Sequence, residues 1–83
     1  MYYVYILLSL KDNKFYTGRT SNLLERVNKH NRGFVKSTKN RRPLKLIYYE
    51  KFIKAKDAYL RERELKYPSA GKFKEQLRKL RLY

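Results

Sequence analysis

The sequence predicts an α+β domain in which a three-stranded antiparallel sheet is flanked by helices, in the order β-β-α-β-α-α. Three observations predict it. Residues 2–8 and 44–50 are short apolar runs rich in β-branched and aromatic side chains, the signature of strands. Three later stretches carry apolar residues at helical spacing between start and stop signals. No internal repeat or low-complexity tract interrupts the 83 residues, so residues 1–83 read as a single domain.

Strand one, residues 2–8, is followed by the turn cluster Lys11, Asp12, Asn13 and Lys14 and then by a second strand over residues 15–18. An even-length hairpin loop puts Tyr5 and Tyr16 on one face. With a four-residue loop over residues 10–13, Leu7 lies opposite Tyr16, and Tyr5 is its diagonal neighbour at roughly 7 to 8 Å between Cα atoms. Asn22, three residues before Glu25, is an N-cap close to a capping box, and Leu23, Leu24 and Val27 carry a helix to about Asn31. Gly33 marks its exit. Residues 34–42 are polar and basic, as in an exposed loop, and Pro43 opens the third strand, residues 44–50. A second helix covers residues 54–67, Pro68 stops it, and a terminal helix over residues 69–80 presents Phe73, Leu77 and Leu80 to the core.

Composition narrows the function. Twenty-two Lys and Arg oppose seven acidic residues, a formal charge of +15, and such self-repulsion points to a polyanionic partner, nucleic acid above all. The run over residues 2–8 is far too short to span a bilayer, and no segment has the strong amphipathicity of a membrane-surface helix, so no membrane partner is expected. The absence of cysteine excludes disulfides and thiolate zinc sites and suits the cytoplasm.

Six residues carry the candidate chemistry. Tyr5 and Tyr16 share a strand face, although with nine tyrosines in the chain either is an ordinary strand residue by itself. Arg26 and His30, four apart, share a helix face. An arginine fork there suits a phosphate, and histidine is the side chain that titrates near neutrality. Ala55, Ala58, Glu62 and Leu65 follow 3, 4, 3 spacing, which places Glu62 on an inward stripe, where a carboxylate needs either a metal ion or an ion pair with Arg26 or another cation. Gly18 follows the second strand at the turn toward the first helix, where Arg19 and Thr20 add donors for a phosphate.

Together these residues resemble the GIY-YIG nuclease family. Tyr3-Val4-Tyr5 stands where its first tripeptide belongs and Tyr16-Thr17-Gly18 matches its second, with Tyr3 in place of the first glycine and Thr17 in place of isoleucine. The likeness extends through Arg26, His30 and Glu62, covers nearly the whole chain, and is closest to small stand-alone bacterial members similar to the nuclease domain of the excision-repair incision subunit. It implies a divalent-metal-dependent endonuclease that hydrolyses DNA phosphodiester bonds. A single Mg²⁺, or Mn²⁺, would be held by Glu62 and would support the leaving oxygen. The implied catalytic set is Tyr5, Tyr16, Arg26, His30 and Glu62, with Arg26 steadying phosphate charge and Tyr5 positioning or deprotonating the attacking water.

Gly18, Arg19 and the loop residues Lys36, Lys39, Arg41 and Arg42 are the expected nucleic-acid contacts, joined by Lys72, Lys74, Arg78 and Lys79 of the terminal helix. Such contacts hold the backbone without reading bases, so intrinsic sequence specificity is expected to be low and binding salt-sensitive. Structured or branched DNA, or a protein partner, would supply targeting. A non-catalytic basic nucleic-acid-binding module on the same fold is the rival reading.

Overall fold

A computed structural model of the chain describes residues 1–81. Its elements are β1 (Tyr2–Ser9), β2 (Phe15–Thr20), α1 (Leu23–Asn31), β3 (Leu44–Phe52), α2 (Ala55–Lys66) and α3 (Gly71–Arg81), with 3₁₀ turns at Lys39–Arg41 and Pro68–Ala70. The predicted order and class hold. The last two residues of the predicted 1–83 span lie outside the described residues.

The sheet runs β2-β1-β3, antiparallel throughout, so β1 is central and is buried from Val4 to Ser9. That is why its sequence reads as an almost unbroken apolar run. The hairpin has the four-residue loop. Ser9 and Lys14 close it with a 2.9 Å backbone hydrogen bond, Leu7 pairs with Tyr16, and Asn13 takes the left-handed conformation that turns the chain. Each face of the sheet holds its own core. On one, Val4, Ile6, Leu8 and Ile47 pack against Ala58, Leu65 and Leu77 of α2 and α3. On the other, Tyr5, Leu7 and Leu44 pack with Tyr16, Leu23, Val27 and Leu46 beneath α1. Each fully buried aliphatic side chain here contributes about 1.5 to 3 kcal/mol.

A register shift between Ile6 and Leu7 where β1 pairs with β3 lets Ile47 and Tyr48 both join the α2/α3 core. Side chains then fasten the pieces. The Asn31 amide bonds the backbone of Leu44 twice, each bond 2.8 Å, which ties the end of α1 to the start of β3. Glu50 receives a two-pronged contact from Arg61, at 3.0 and 3.1 Å, and accepts from Tyr48, joining β3 to α2.

Four expectations are corrected. β2 continues past Gly18 to Thr20, because Gly18, Arg19 and Thr20 pair with Tyr5, Val4 and Tyr3 of β1. The segment over residues 34–42 is mostly exposed, as expected, but not throughout, since Val35 and Thr38 are buried in it. The terminal helix begins at Gly71, after a 3₁₀ turn that starts at Pro68. Leu80 is 71% exposed, so its apolar stripe ends at Leu77.

Thr17, standing at the isoleucine position of the tripeptide, is 5% exposed, and its Oγ1 has no hydrogen-bond partner among the described residues. An orphaned buried hydroxyl costs about 1 to 3 kcal/mol. Thr17→Val, which keeps the shape and removes that oxygen, is therefore expected to stabilise the fold by about 1 kcal/mol in denaturant unfolding.

Candidate active site

The hydroxyl of Tyr5 is the point at which β1, β2 and α1 meet. Tyr5 pairs across the sheet with Gly18, and its ring crosses the space a side chain at Gly18 would fill. A Cβ there would lie 2.5 Å from Tyr5 Cζ and 3.0 Å from Cε1. The glycine therefore serves the tyrosine, not the turn toward α1 that its position suggests in the sequence. Its φ lies outside the left-handed range, so contact alone forbids a side chain.

His30 approaches from α1, with Nε2 2.8 Å from the Tyr5 oxygen and Nδ1 2.7 Å from Thr38 Oγ1. Its ring stands edge-on to both phenols, 5.7 Å from Tyr5 and 5.0 Å from Tyr16 between centroids. The two tyrosine rings are 6.5 Å apart, as the hairpin register requires. Arg26, one helical turn before His30, lies close enough for its charge to act on both Tyr5 and His30. The Asn22 cap sets where this helix begins, because its Oδ1 accepts the Glu25 N–H at 3.2 Å.

Burial governs the electrostatics. Tyr5, 1% exposed, has its pKa raised, chiefly by desolvation. The Arg26 guanidinium opposes the rise, whereas the Glu62 carboxylate, and the Tyr16 phenol as a competing second anion, add to it. His30, fully buried, is pushed from 6.5 down to about 4, first by desolvation and then by the Arg26 charge, so the imidazole is neutral at physiological pH. A depressed folded-state pKa contributes stability that is complete above the unfolded value of 6.5 and is lost as pH falls toward 4. NMR titration should give a His30 midpoint near 4. Stability should begin to fall below pH 6.5, before ordinary carboxylates titrate, by about 3 kcal/mol over the full window, and His30→Gln should remove that early slope.

Glu62 projects from α2 between the buried Ala58 and Leu65, with its side chain 15% exposed, and its charge reaches Tyr5. The inward stripe is as the spacing predicts, except that Ala55 is exposed. Its ion pairs are with Arg19, at 3.7 Å, and Lys66, at 3.1 Å, and not with Arg26. Those cationic side chains are 39% and 54% exposed, so either can swing to a phosphate and free a carboxylate oxygen. No cluster of three His, Cys, Asp or Glu capable of holding a metal occurs among the described residues. A lone carboxylate still fits Mg²⁺, which retains waters and commonly takes one or two carboxylates plus phosphate oxygens.

The remaining basic residues divide. Lys36 and Lys39 are exposed. Arg41 is engaged by Asp12 at 2.8 Å and by the Phe15 carbonyl at 3.2 Å, which fastens its segment to the hairpin. Arg42 donates to the Lys39 carbonyl at 2.8 Å, and its guanidinium lies over Gly33, whose φ of +82° marks the chain reversal after α1. Arg78 is held by Glu75 at 3.0 Å and by the Asn13 carbonyl at 2.7 Å. Lys72 and Lys79 are exposed, while Lys74 is half-buried, with its pKa lowered by desolvation and by Lys66. Arg19 also stacks on Tyr59, 5.1 Å from its centroid. Sequence reasoning missed Thr38 and Lys66. The latter was detectable, being four residues after Glu62 on the same helix.

A strand-hairpin-helix platform thus gathers two phenols, a neutral imidazole, a guanidinium and a nearby carboxylate, a set of the kind a catalytic domain carries. The chain belongs to the GIY-YIG family, whose catalytic-domain model matches residues 1–76. Its relatives are UPF0213 proteins. One from Staphylococcus haemolyticus is 47% identical over 66 residues, covering 78% of this chain and 79% of the relative. Another, from Natronomonas pharaonis, is 42% identical over 77 residues, covering 92% and 88%. The solution NMR structure of a UPF0213 protein from Bacillus halodurans matches with a TM-score of 0.56 at 40% identity, covering 98% of this chain and 86% of that one. Among the described residues no helix is long and apolar enough to cross a membrane.

Proposed function

We propose that this chain is a divalent-metal-dependent endonuclease that hydrolyses DNA phosphodiester bonds with low intrinsic sequence specificity. The observation that supports it most is the gathering of the Tyr5, Tyr16 and His30 rings, with Nε2 of His30 at the Tyr5 hydroxyl and the charges of Arg26 and Glu62 acting on that phenol. Membership of a nuclease domain family supports an endonuclease-type role and DNA as substrate.

In this reading Arg26, already beside the Tyr5 oxygen, donates to the phosphate and stabilises charge that grows in the transition state. Tyr5, kept protonated by its raised pKa, positions the attacking water and passes its own proton to His30 as it takes the water's proton. His30 can accept at neutral pH because burial holds it uncharged. Tyr16 hydrogen-bonds to the reacting group. Glu62 would hold Mg²⁺ or Mn²⁺, with Arg19 and Lys66 released to neighbouring phosphates. Such an ion, when bound, acts as a Lewis acid on the leaving oxygen. Lys36, Lys39, Lys72 and Lys79 would hold the backbone on either side, and branched structure or a partner protein would supply targeting.

The test is incubation of the purified protein with linear, nicked and branched duplexes, and with RNA of matched length, in Mg²⁺, Mn²⁺ or chelator. Metal-dependent nicking of DNA supports the proposal. Salt-sensitive binding without cleavage under any divalent ion would replace it with a non-catalytic binding module, a reading that the ion pairs already satisfying Glu62 favour.

A further inference from the structure

The polar groups behind Tyr5 form one chain whose proton directions follow from counting donors. A phenol carries one proton, which needs an acceptor once the group is buried, and Tyr5 is 1% exposed. His30 Nε2 is 2.8 Å from that oxygen, His30 Nδ1 is 2.7 Å from Thr38 Oγ1, and Thr38 Oγ1 is 3.5 Å from the Val35 carbonyl. Thr38 and His30 are both 0% exposed, so solvent cannot complete the set from outside.

A neutral imidazole carries one N–H. If it sits on Nδ1, Tyr5 donates to Nε2, Nδ1 donates to Thr38 and Thr38 donates to Val35, and every proton has an acceptor. With the N–H on Nε2, the Tyr5 oxygen would accept it and the phenol's own proton would have no acceptor in this chain of contacts. A second observation is that the threonine hydroxyl is not used by the turn it begins. Thr38 occupies the N-cap position of the Lys39–Arg41 turn, where a threonine ordinarily caps with its side chain, yet it makes no such bond. Its backbone is held instead by bonds to the Val35 carbonyl at 3.1 Å and from the Arg41 N–H at 2.9 Å.

We propose that Thr38 is a positioning residue that holds His30 in the Nδ1–H tautomer, leaving Nε2 as the acceptor that faces Tyr5. Its effect on cleavage rests on the nuclease reading above; the tautomer itself does not. Thr38 touches neither substrate nor reacting atoms and acts through the histidine alone.

The experiment is long-range ¹H–¹⁵N NMR of histidine-labelled protein at neutral pH, for wild type, Thr38→Ser and Thr38→Val, alongside nicking rates. Wild type and Thr38→Ser should show a protonated Nδ1 and an unprotonated Nε2. Thr38→Val, which keeps the shape and loses the hydroxyl, should shift weight to the Nε2–H form and slow nicking at least about tenfold, part of the 10²- to 10⁴-fold contribution typical of general base catalysis. An Nε2–H tautomer in wild type, or Thr38→Val matching wild type in both spectrum and rate, overturns the proposal. Should Thr38→Val fail to fold, the wild-type and Thr38→Ser spectra still decide it. Should wild type not nick at all, the nuclease reading falls and the spectra still judge the tautomer.

Discussion

Replacing Glu62 with alanine is expected to lower the rate of DNA nicking by about 10³-fold while leaving the fold and DNA affinity in place. The three effects separate for physical reasons. The proposed metal ion has a single protein carboxylate, so the substitution removes its anchor at one stroke. The partners that Glu62 leaves behind, Arg19 and Lys66, are exposed enough to be solvated, and exposed ion pairs of this kind contribute only about 0 to 1 kcal/mol. Alanine is also the best helix former at an interior position of α2. Binding should be equal or tighter, because removing one negative charge beside the basic surface favours a polyanion. Thermal melting, salt-dependent DNA binding and nicking assays read the three effects apart. Equal nicking by wild type and Glu62→Ala would assign the activity to a contaminant or the metal to another residue.

Gly18→Ala is expected to destabilise the protein by about 1 to 3 kcal/mol and to cut nicking by about 10²-fold, because the new Cβ would overlap the Tyr5 ring that delivers its hydroxyl to His30. Outside this contact the substitution would help. Alanine loses less conformational freedom than glycine in a strand, by roughly 0.5 to 1 kcal/mol, and no left-handed backbone opposes it. The sign should therefore reverse in a Tyr5→Ala background, where the overlapping ring is gone and Gly18→Ala becomes neutral or stabilising. Denaturant unfolding of the two single variants and the double variant measures this. Additive costs would show that the phenol and the glycine do not share that space.

How much of this was legible in the sequence depends on how local the causes are. The shared face of Tyr5 and Tyr16 was readable because any even-length loop keeps their parity, whereas the exact register needed the loop length, which the turn cluster did not decide between two and four residues. Glu62 was readable as inward because helix periodicity is intrinsic to the backbone. The role of Gly18 was not, since it depends on a ring arriving from the partner strand. Thr38 sits in a basic, polar segment that composition marks as exposed, and only the docking of that segment against α1 buries it. Arg41 and Arg78 looked like phosphate ligands because charge is visible in a sequence, whereas the contacts that engage them 29 and 65 residues away, with the Asp12 carboxylate and the Asn13 carbonyl, are not.

The clasp at the hairpin has a practical consequence for anyone labelling or fusing this domain. Ser9 Oγ donates to the Arg41 carbonyl at 2.6 Å, and Asp12 holds the Arg41 side chain, three residues beyond Thr38. A surface tip of this kind is ordinarily the first place to graft a fluorophore or an epitope. Here it is the far end of a lever whose other arm carries the histidine's support, so grafts there would report on a perturbed protein.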